Sequence, residues 1–432
     1  MFFTSLFLVS TLEQVTDIIN KVVSISICVL LADQLVASFL SLLGNRKYKE
    51  AKKNHTYAFV ICAHNEDKVV GELIKSIYAQ DYPKECYKVF VIADNCTDST
   101  KDVALENGAI VLERFNNEQI GKCYALDYGL KTIMEMYSEL EAFIIFDADN
   151  LVAKDYTKEI NKAYDEGFRV VTSFRNTKNF GDSFISAGSG ILFFRECMFI
   201  HPSRSRFNST YISGTGFLVD KNVILENGGW PYKTMIEDIE FSINCSIKGE
   251  KVVYAPKAEF YDEQPTTFKD TWNQRLRWCK GVHQCHFKYS FKLLKAFFTK
   301  ARYSAFGLYV HCSEAPLVGF LWLIVYNLIM SIYTVANKLP FDVYFYTAGQ
   351  STIWFLADAL IIALVYGILC TIKYWKHIYA PNYKKVLYCL LFPLYMFLYL
   401  PILLVAFFSK PKWKKIEHTR NITIEDINGE NK

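Results

Sequence analysis

The stretch Phe143-Ile144-Ile145-Phe146-Asp147-Ala148-Asp149-Asn150 sets two carboxylates two positions apart at the end of an apolar run. Such a run reads as a buried strand, and residues two apart on an extended chain project to the same side. Paired carboxylates suit a hard cation, Mg²⁺ or Mn²⁺, whose open positions accept phosphate oxygens, so this strand end is a candidate seat for a nucleotide diphosphate. Alone, an Asp-x-Asp at a strand end is more often turn chemistry. Its neighbours in the chain change that balance.

Three groups follow downstream. Ile212-Ser213-Gly214-Thr215-Gly216-Phe217 carries small residues that let another molecule approach the backbone. Ile236-Glu237-Asp238-Ile239-Glu240-Phe241 places acids ahead of an apolar helical run, where Asp238 is either a helix cap or a base. In Gln274-Arg275-Leu276-Arg277-Trp278, residues 274, 277 and 278 stand at i, i+3 and i+4, so an amide, a guanidinium and an indole share one helix face. That face can hold a diphosphate and stack a sugar, although Arg and Trp are also common interfacial anchors.

From about His55 to Cys285 the pattern alternates between apolar strands (Ala58 to Cys62, Val89 to Ala93, Ala109 to Leu112, Phe143 to Phe146, Val170 to Ser173) and helical stretches. This predicts an α/β domain with a mixed, mostly parallel sheet and ligands at the carboxyl ends of its strands. The polar residues agree: Ala63-His64-Asn65-Glu66 follows the first strand, Asp94-Asn95 the second and Asp147/Asp149 a later one.

The chain has 432 residues, 51% hydrophobic and 16% aromatic, with the apolar content gathered at the N-terminus and after about Ala305. This is the distribution of a multi-pass membrane protein carrying one globular domain. A net charge of +4, spread evenly through the middle, is too small to suggest nucleic-acid binding on its own, and no nucleic-acid partner is expected. The twelve cysteines contain no Cys-x-x-Cys and are scattered singly, as in a reducing compartment. The predicted order is an N-terminal transmembrane helix in residues 1–45, a cytosolic domain over 46–286 and an amphipathic interfacial helix over 287–302. A membrane region of two to three spans follows over 303–409, and then a basic cytosolic tail over 410–432. Asp33 inside the first span should face other helices, and Glu314-Ala315-Pro316 should break a later one. Pro393 and Pro401 would bend the last segment back, keeping Lys410, Lys412, Lys414, Lys415 and Arg420 on the cytosolic side.

Taken in order, Asn65-Glu66, Asp94, Gly121-Lys122, Asp147-x-Asp149, Glu237-Asp238 and Gln274-x-x-Arg277-Trp278 resemble the membrane-integrated, inverting family 2 glycosyltransferases, the cellulose, hyaluronan and poly-N-acetylglucosamine synthases and their relatives. The resemblance covers roughly His55 to Cys285. It implies a Rossmann-like GT-A domain inserted between transmembrane helices of the cell membrane, a UDP-sugar donor, and a glycan or lipid acceptor. It also implies donor contacts from Ala63, Asn65, Glu66, Asp94, Lys122, Asp147, Gln274, Arg277 and Trp278, with Asp94 at the base. Asp147 and Asp149 would hold Mg²⁺ or Mn²⁺, Asp238 would be the general base, and Gly214, Thr215, Gly216, Glu237 and Trp278 would meet the acceptor. The sequence departs from many relatives at Asn95-Cys96 and at Asp127, both near the expected donor pocket.

The chemistry is coherent without the family. An acceptor hydroxyl needs a carboxylate to take its proton as it attacks the anomeric carbon, while the departing UDP needs cations. One displacement turns an α-linked donor into a β-glycoside. Other readings are a single-transfer enzyme acting on a lipid such as a polyprenyl phosphate, or a membrane protein that only senses nucleotide sugars. The sensor has no use for Asp238.

Overall fold

The computed structural model describes residues 2–300, 302–410, 420 and 422–428. Its centre is an eight-stranded sheet: β1 (Tyr57–Ala63), β2 (Tyr87–Asp94), β3 (Ile110–Arg114), β4 (Ala142–Asp147), β5 (Leu151–Val152), β6 (Val170–Thr177), β7 (Phe217–Asp220) and β8 (Val252–Asp262), in the order β3-β2-β1-β4-β7-β6-β8-β5. β1, β2, β3 and β4 run parallel; β7 is inserted antiparallel between β4 and β6, and β5 is antiparallel to β8. Helices cover both faces, which is why the strands are apolar without interruption instead of alternating. Tyr57, Phe59 and Ile61 point into one core with the helices Val70–Tyr78 and Tyr156–Asp165. Ala58 and Val60 point into the other with the helix Lys122–Met136.

The five expected strands are present; β5, β7 and β8 were not expected. β8 contains Pro256, and its pairing with β6 slips between Ser173 and Phe174, so that Ala255 and Glu259 face consecutive residues. The bulge accommodates a proline that reads as a strand breaker. The helix over 287–302 is not a separate element either: one helix runs Phe268–Lys300, because nothing between the Gln274 motif and the lysine-aromatic stretch breaks it. The domain boundary at residue 286 therefore falls inside a helix.

Four helical stretches among the described residues are long and apolar enough to cross a membrane: Gln14–Ser41, Tyr303–Ala336, Phe341–Lys373 and Asn382–Phe408. The second is broken between His311 and Ala315, at the expected Glu314-Ala315-Pro316. The fourth is two helices, Asn382–Phe397 with Pro393 inside it and Tyr399–Phe408. Both lean on the α/β domain. Tyr395 Oη lies 2.8 Å from Ser189 Oγ, and Lys280 Nζ donates to the Phe407 carbonyl at 3.2 Å. Past this segment, Arg420 Nε donates to Asp182 at 2.9 Å, and Ile424 and Ile427 pack on Leu151 and Tyr261. Lys412, Lys414 and Lys415 lie outside the described residues.

Asp33 does face another helix, and that helix belongs to the α/β domain: Arg204, in His201–Ser205, donates from Nη2 to Asp33 Oδ2 at 2.8 Å, and both side chains are buried. This pair anchors the first membrane helix to the domain. Removing one partner strands a buried charge, so Asp33→Ala should cost about 3–5 kcal/mol of stability. The check is thermal unfolding in detergent, and an unchanged Tm would contradict the anchoring role.

Candidate active site

The parallel register carries the polar strand ends to one edge: Ala63 pairs with Ala93, the residue before Asp94, and Cys62 pairs with Asp147. Asp94 is buried and accepts from Arg114 Nη1 at 2.6 Å, while Arg114 Nη2 donates to the Gln119 carbonyl at 2.7 Å. This fixes a carboxylate and the loop after β3 together. His64 Nδ1 donates to the Asp94 carbonyl at 2.7 Å, tying the β1 and β2 ends. Asn65 takes a left-handed backbone conformation (φ +58°), and its side-chain oxygen accepts from Thr97 N at 2.7 Å. It builds the loop and does not line the cavity below, which Ala63, His64 and Glu66 do.

Lys122 opens the helix Lys122–Met136 after Gly121, whose φ of +121° only glycine adopts freely. Its ammonium bridges Asp147 Oδ1 and the Gly214 carbonyl, the latter at 2.7 Å. Burial opposes that charge, yet the Asp147 and Glu237 carboxylates hold the lysine above its ordinary value. Asp149 is buried beside it; Oδ2 accepts from Glu263 N at 3.2 Å and Oδ1 from Asn150 Nδ2 at 3.4 Å. Asp262 at the end of β8 is held by Arg175, whose Nε donates to Oδ2 at 2.8 Å. Burial, with Asp149 and Asp147 nearby, still pushes Asp262 up to about 6 against the pull of Arg175.

Among the described residues no three His, Cys, Asp or Glu side chains converge as a ready metal cage. Asp147 and Asp149 nonetheless fit Mg²⁺ or Mn²⁺. Both line the cavity with the carboxylate oxygens a hard cation takes, and would leave the remaining coordination to a diphosphate and water, as Mg²⁺ prefers.

Of the small-residue loop, Ser213 and Gly214 face the cavity, whereas Thr215 and Gly216 do not. Thr215 is buried, with Oγ1 bonded to Asn150 and accepting from Asp147 N at 2.9 Å, so it braces the carboxylate strand end. Gly216 has φ +64°, and a methyl group there would lie 2.1 Å from the Phe260 ring. The glycine makes room for a core ring, not for an acceptor.

Asp238 lies in the first turn of the helix Glu237–Lys248, but the cap position is Ile236 and no side chain caps this end. Asp238 is therefore not the cap residue, although it stands in the first turn, where an acid suits the helix dipole. Burial first and the Glu237 carboxylate second push it up to about 7. A methyl group at Gly214 would be 3.5 Å from Asp238 Oδ2, which places the loop and this carboxylate side by side.

Gln274, Arg277 and Trp278 all face the same cavity. Gln274 Oε1 is buried without a donor among the described residues. Sequence reasoning gave no role to Arg275 between them. It is buried, its Nη2 donates to Ser189 Oγ at 2.9 Å and Tyr395 Oη at 2.7 Å, and its guanidinium lies 4.0 Å from the Trp278 ring centre. Arg275 thus fixes the tryptophan and ties the motif to the bent segment Asn382–Phe408. The cavity has a volume of about 1000 Å³ and runs from Asp94 past Asp147 and Asp238 to Tyr399 and Leu403 beside the membrane helices.

A Rossmann-like mixed sheet with an Asp-x-Asp strand end, a facing carboxylate and a Gln-x-x-Arg-Trp helix defines a GT-A transferase class. Residues 54–281 match the family described as glycosyltransferase like family 2, and the chain belongs to that family. It is 27% identical to the probable glycosyltransferase YdaM of Bacillus subtilis over 51% of this chain and 54% of that one. It is 26% identical to the poly-beta-1,6-N-acetyl-D-glucosamine synthase of Staphylococcus aureus over 61% of each. The chain therefore spans a little over half the length of these curated relatives. In fold it is similar to the mannosyltransferase PcManGT from Pyrobaculum calidifontis, solved with GDP-Man and Mn²⁺, with a TM-score of 0.59, 15% identity and coverage of 91% of this chain and 99% of that one.

Proposed function

We propose that this protein is an inverting, metal-dependent glycosyltransferase that moves a hexosyl or N-acetylhexosaminyl group from a UDP-sugar to a glycan acceptor at the cytosolic face of the cell membrane. Extracellular polysaccharide synthesis is the process this serves. The observation that carries the reading is one cavity lined by both halves of a displacement: Asp147 and Asp149 with Arg277 for the leaving diphosphate, and half-buried Asp238 for the attacking hydroxyl. A nucleotide-sugar sensor has no need of the second half.

The donor lies along the strand ends, its base beside Asp94 and its diphosphate between Lys122 and Arg277. Bound Mg²⁺ or Mn²⁺ supplies charge neutralisation for the diphosphate as it departs. Lys122 and Arg277 add fixed positive charge from the protein. Trp278, immobilised by Arg275, forms a wall against which the acceptor sugar stacks. Asp238, ionised, removes the proton from the acceptor hydroxyl as that oxygen attacks the anomeric carbon; the C1–O bond to UDP breaks, and the centre inverts.

Incubating membranes with radiolabelled UDP-glucose, UDP-N-acetylglucosamine, UDP-galactose and GDP-mannose tests the donor class. Label from a UDP-sugar in polymer or oligosaccharide supports the reading. Label only in lipid favours the single-transfer alternative, and incorporation only from GDP-mannose overturns the UDP assignment.

Arg46 to Lys53 and Lys373 to Lys385 support a cytosolic domain, and the contacts of Arg420 and Ile424 with the domain support a last segment that returns to the same side. A cysteine introduced near Asp342 should react with an impermeant reagent on intact cells, while Cys96 and a cysteine introduced at Arg420 should not. Labelling at Arg420 from outside would reverse the assignment of the last segment.

A further inference from the structure

Beside the groups that the transfer chemistry uses, the cavity has a polar wall that it leaves unused. The helix Phe184–Arg195 passes directly into a π-helical turn, Glu196–Ile200. Such turns put an extra residue into a helix and recur at functional sites. Here Phe193, Arg195 and Glu196 from one short stretch all line the cavity, with Tyr211 beside them. Glu196 has a side chain only 14% exposed, its Oε2 lies 3.9 Å from His201 Nε2, and Tyr211, Arg195 and Arg175 are among the groups around it. Arg195 Nη1 is anchored by Gln34 Oε1 at 2.9 Å, which fixes this wall to the first membrane helix. Phe193 stands edge-on to Trp278 at 6.1 Å between ring centres, and the Arg175 guanidinium covers its ring at 3.7 Å.

We propose that Glu196, with Tyr211 and Arg195, forms a saccharide subsite that positions the acceptor's second sugar while Trp278 takes the first. This rests on the glycosyl-transfer reading and names its acceptor as a glycan. An acyl chain against this wall would desolvate a carboxylate, a phenol and a guanidinium without returning a hydrogen bond. Vicinal sugar hydroxyls return several, because a carboxylate accepts from two at once and a guanidinium donates to ring or hydroxyl oxygens. The cavity volume of about 1000 Å³ lies at the upper end for a single small ligand, leaving space for acceptor beside donor. Glu196 acts through the acceptor's pose and not on the reacting atoms, so it is a positioning residue.

The test uses the full chain in nanodiscs, measuring UDP release while soluble β-linked glucose and N-acetylglucosamine oligosaccharides of two to six units are titrated in. Oligosaccharide should stimulate release saturably. Glu196→Ala should raise the half-saturating concentration at least tenfold with the saturated rate and UDP affinity preserved, Glu196→Gln should recover part of the loss, and Tyr211→Phe should shift it less in the same direction. Unchanged half-saturation in Glu196→Ala, or stimulation of the wild type by a polyprenyl phosphate but by no oligosaccharide, overturns the subsite. If Glu196→Ala loses UDP binding, Tyr211→Phe decides: an unshifted half-saturation overturns the proposal. A wild type that releases UDP from no sugar nucleotide under any acceptor overturns instead the transferase reading.

Discussion

Asp238→Asn is expected to bind UDP with near-normal affinity and to lose transfer by roughly 10²- to 10⁴-fold, on the order of 3 to 5 kcal/mol of barrier. Asparagine keeps the shape and is as good a residue at a helix start as aspartate, so the helix is preserved, but it cannot take a proton. Lys122, Asp94 and the metal carboxylates are untouched. The pH profile adds a second reading. Burial and Glu237 push Asp238 up to about 7, and the base works ionised, so kcat/KM should climb as the pH rises toward about 7 and level off above it. Stability moves the other way. The folded chain keeps this proton above the ordinary aspartate value while the unfolded chain gives it up, so this group costs stability as the pH rises through the window ending at about 7. Asp238→Asn should therefore be no less stable than the wild type at pH 8, and thermal unfolding at that pH checks it. An active Asp238→Asn enzyme would leave Asp238 only its place at the helix start and make Glu237 the next candidate base.

Chelation is the second large effect. EDTA should abolish transfer, and Mn²⁺ or Mg²⁺ should restore it, because the departing diphosphate otherwise faces the Asp147 and Asp149 carboxylates without a cation between them. Asp149→Ala should lose turnover in saturating metal. Titration of UDP gives a readout besides activity: Mn²⁺ should tighten UDP binding to the wild type and leave Asp149→Ala unaffected. Full activity in EDTA contradicts this account.

The parts of the structure visible in the sequence are those where burial and chemistry coincide. β1, β2 and β4 are apolar runs ending in polar residues, and their parallel register alone carries Asp94 and Asp147 to one edge. β5 has two residues, β7 has four and β8 contains a proline, so their pairing is decided by tertiary contacts that no local pattern announces. In the site, the helical spacing of Gln274, Arg277 and Trp278 was sufficient to put them on one cavity. Arg114, Arg175 and Arg275 were not legible as supporting residues, because their partners Asp94, Asp262, Ser189 and Tyr395 are distant in the chain. Small residues misled in one respect. A glycine demanded by an approaching ligand and one demanded by a core ring look alike in sequence, and Gly216 serves the Phe260 ring.

The bent segment Asn382–Phe408 shows the same limit. Its apolar length satisfies a membrane span, and only its contacts with Ser189, Arg275 and Lys280 reveal that it leans on the α/β domain. Through Tyr395 and Arg275 it reaches Trp278, so this segment helps to set the wall of the cavity that Trp278 forms.

The anomeric configuration of the product tests the central claim most directly. Purified protein is supplied with an α-linked UDP-sugar and the oligosaccharide it accepts, and the new linkage is read by proton NMR. A single displacement with Asp238 as base gives a β-glycoside, with the large coupling between H1 and H2 of a gluco-configured sugar. An α-linked product would contradict the account.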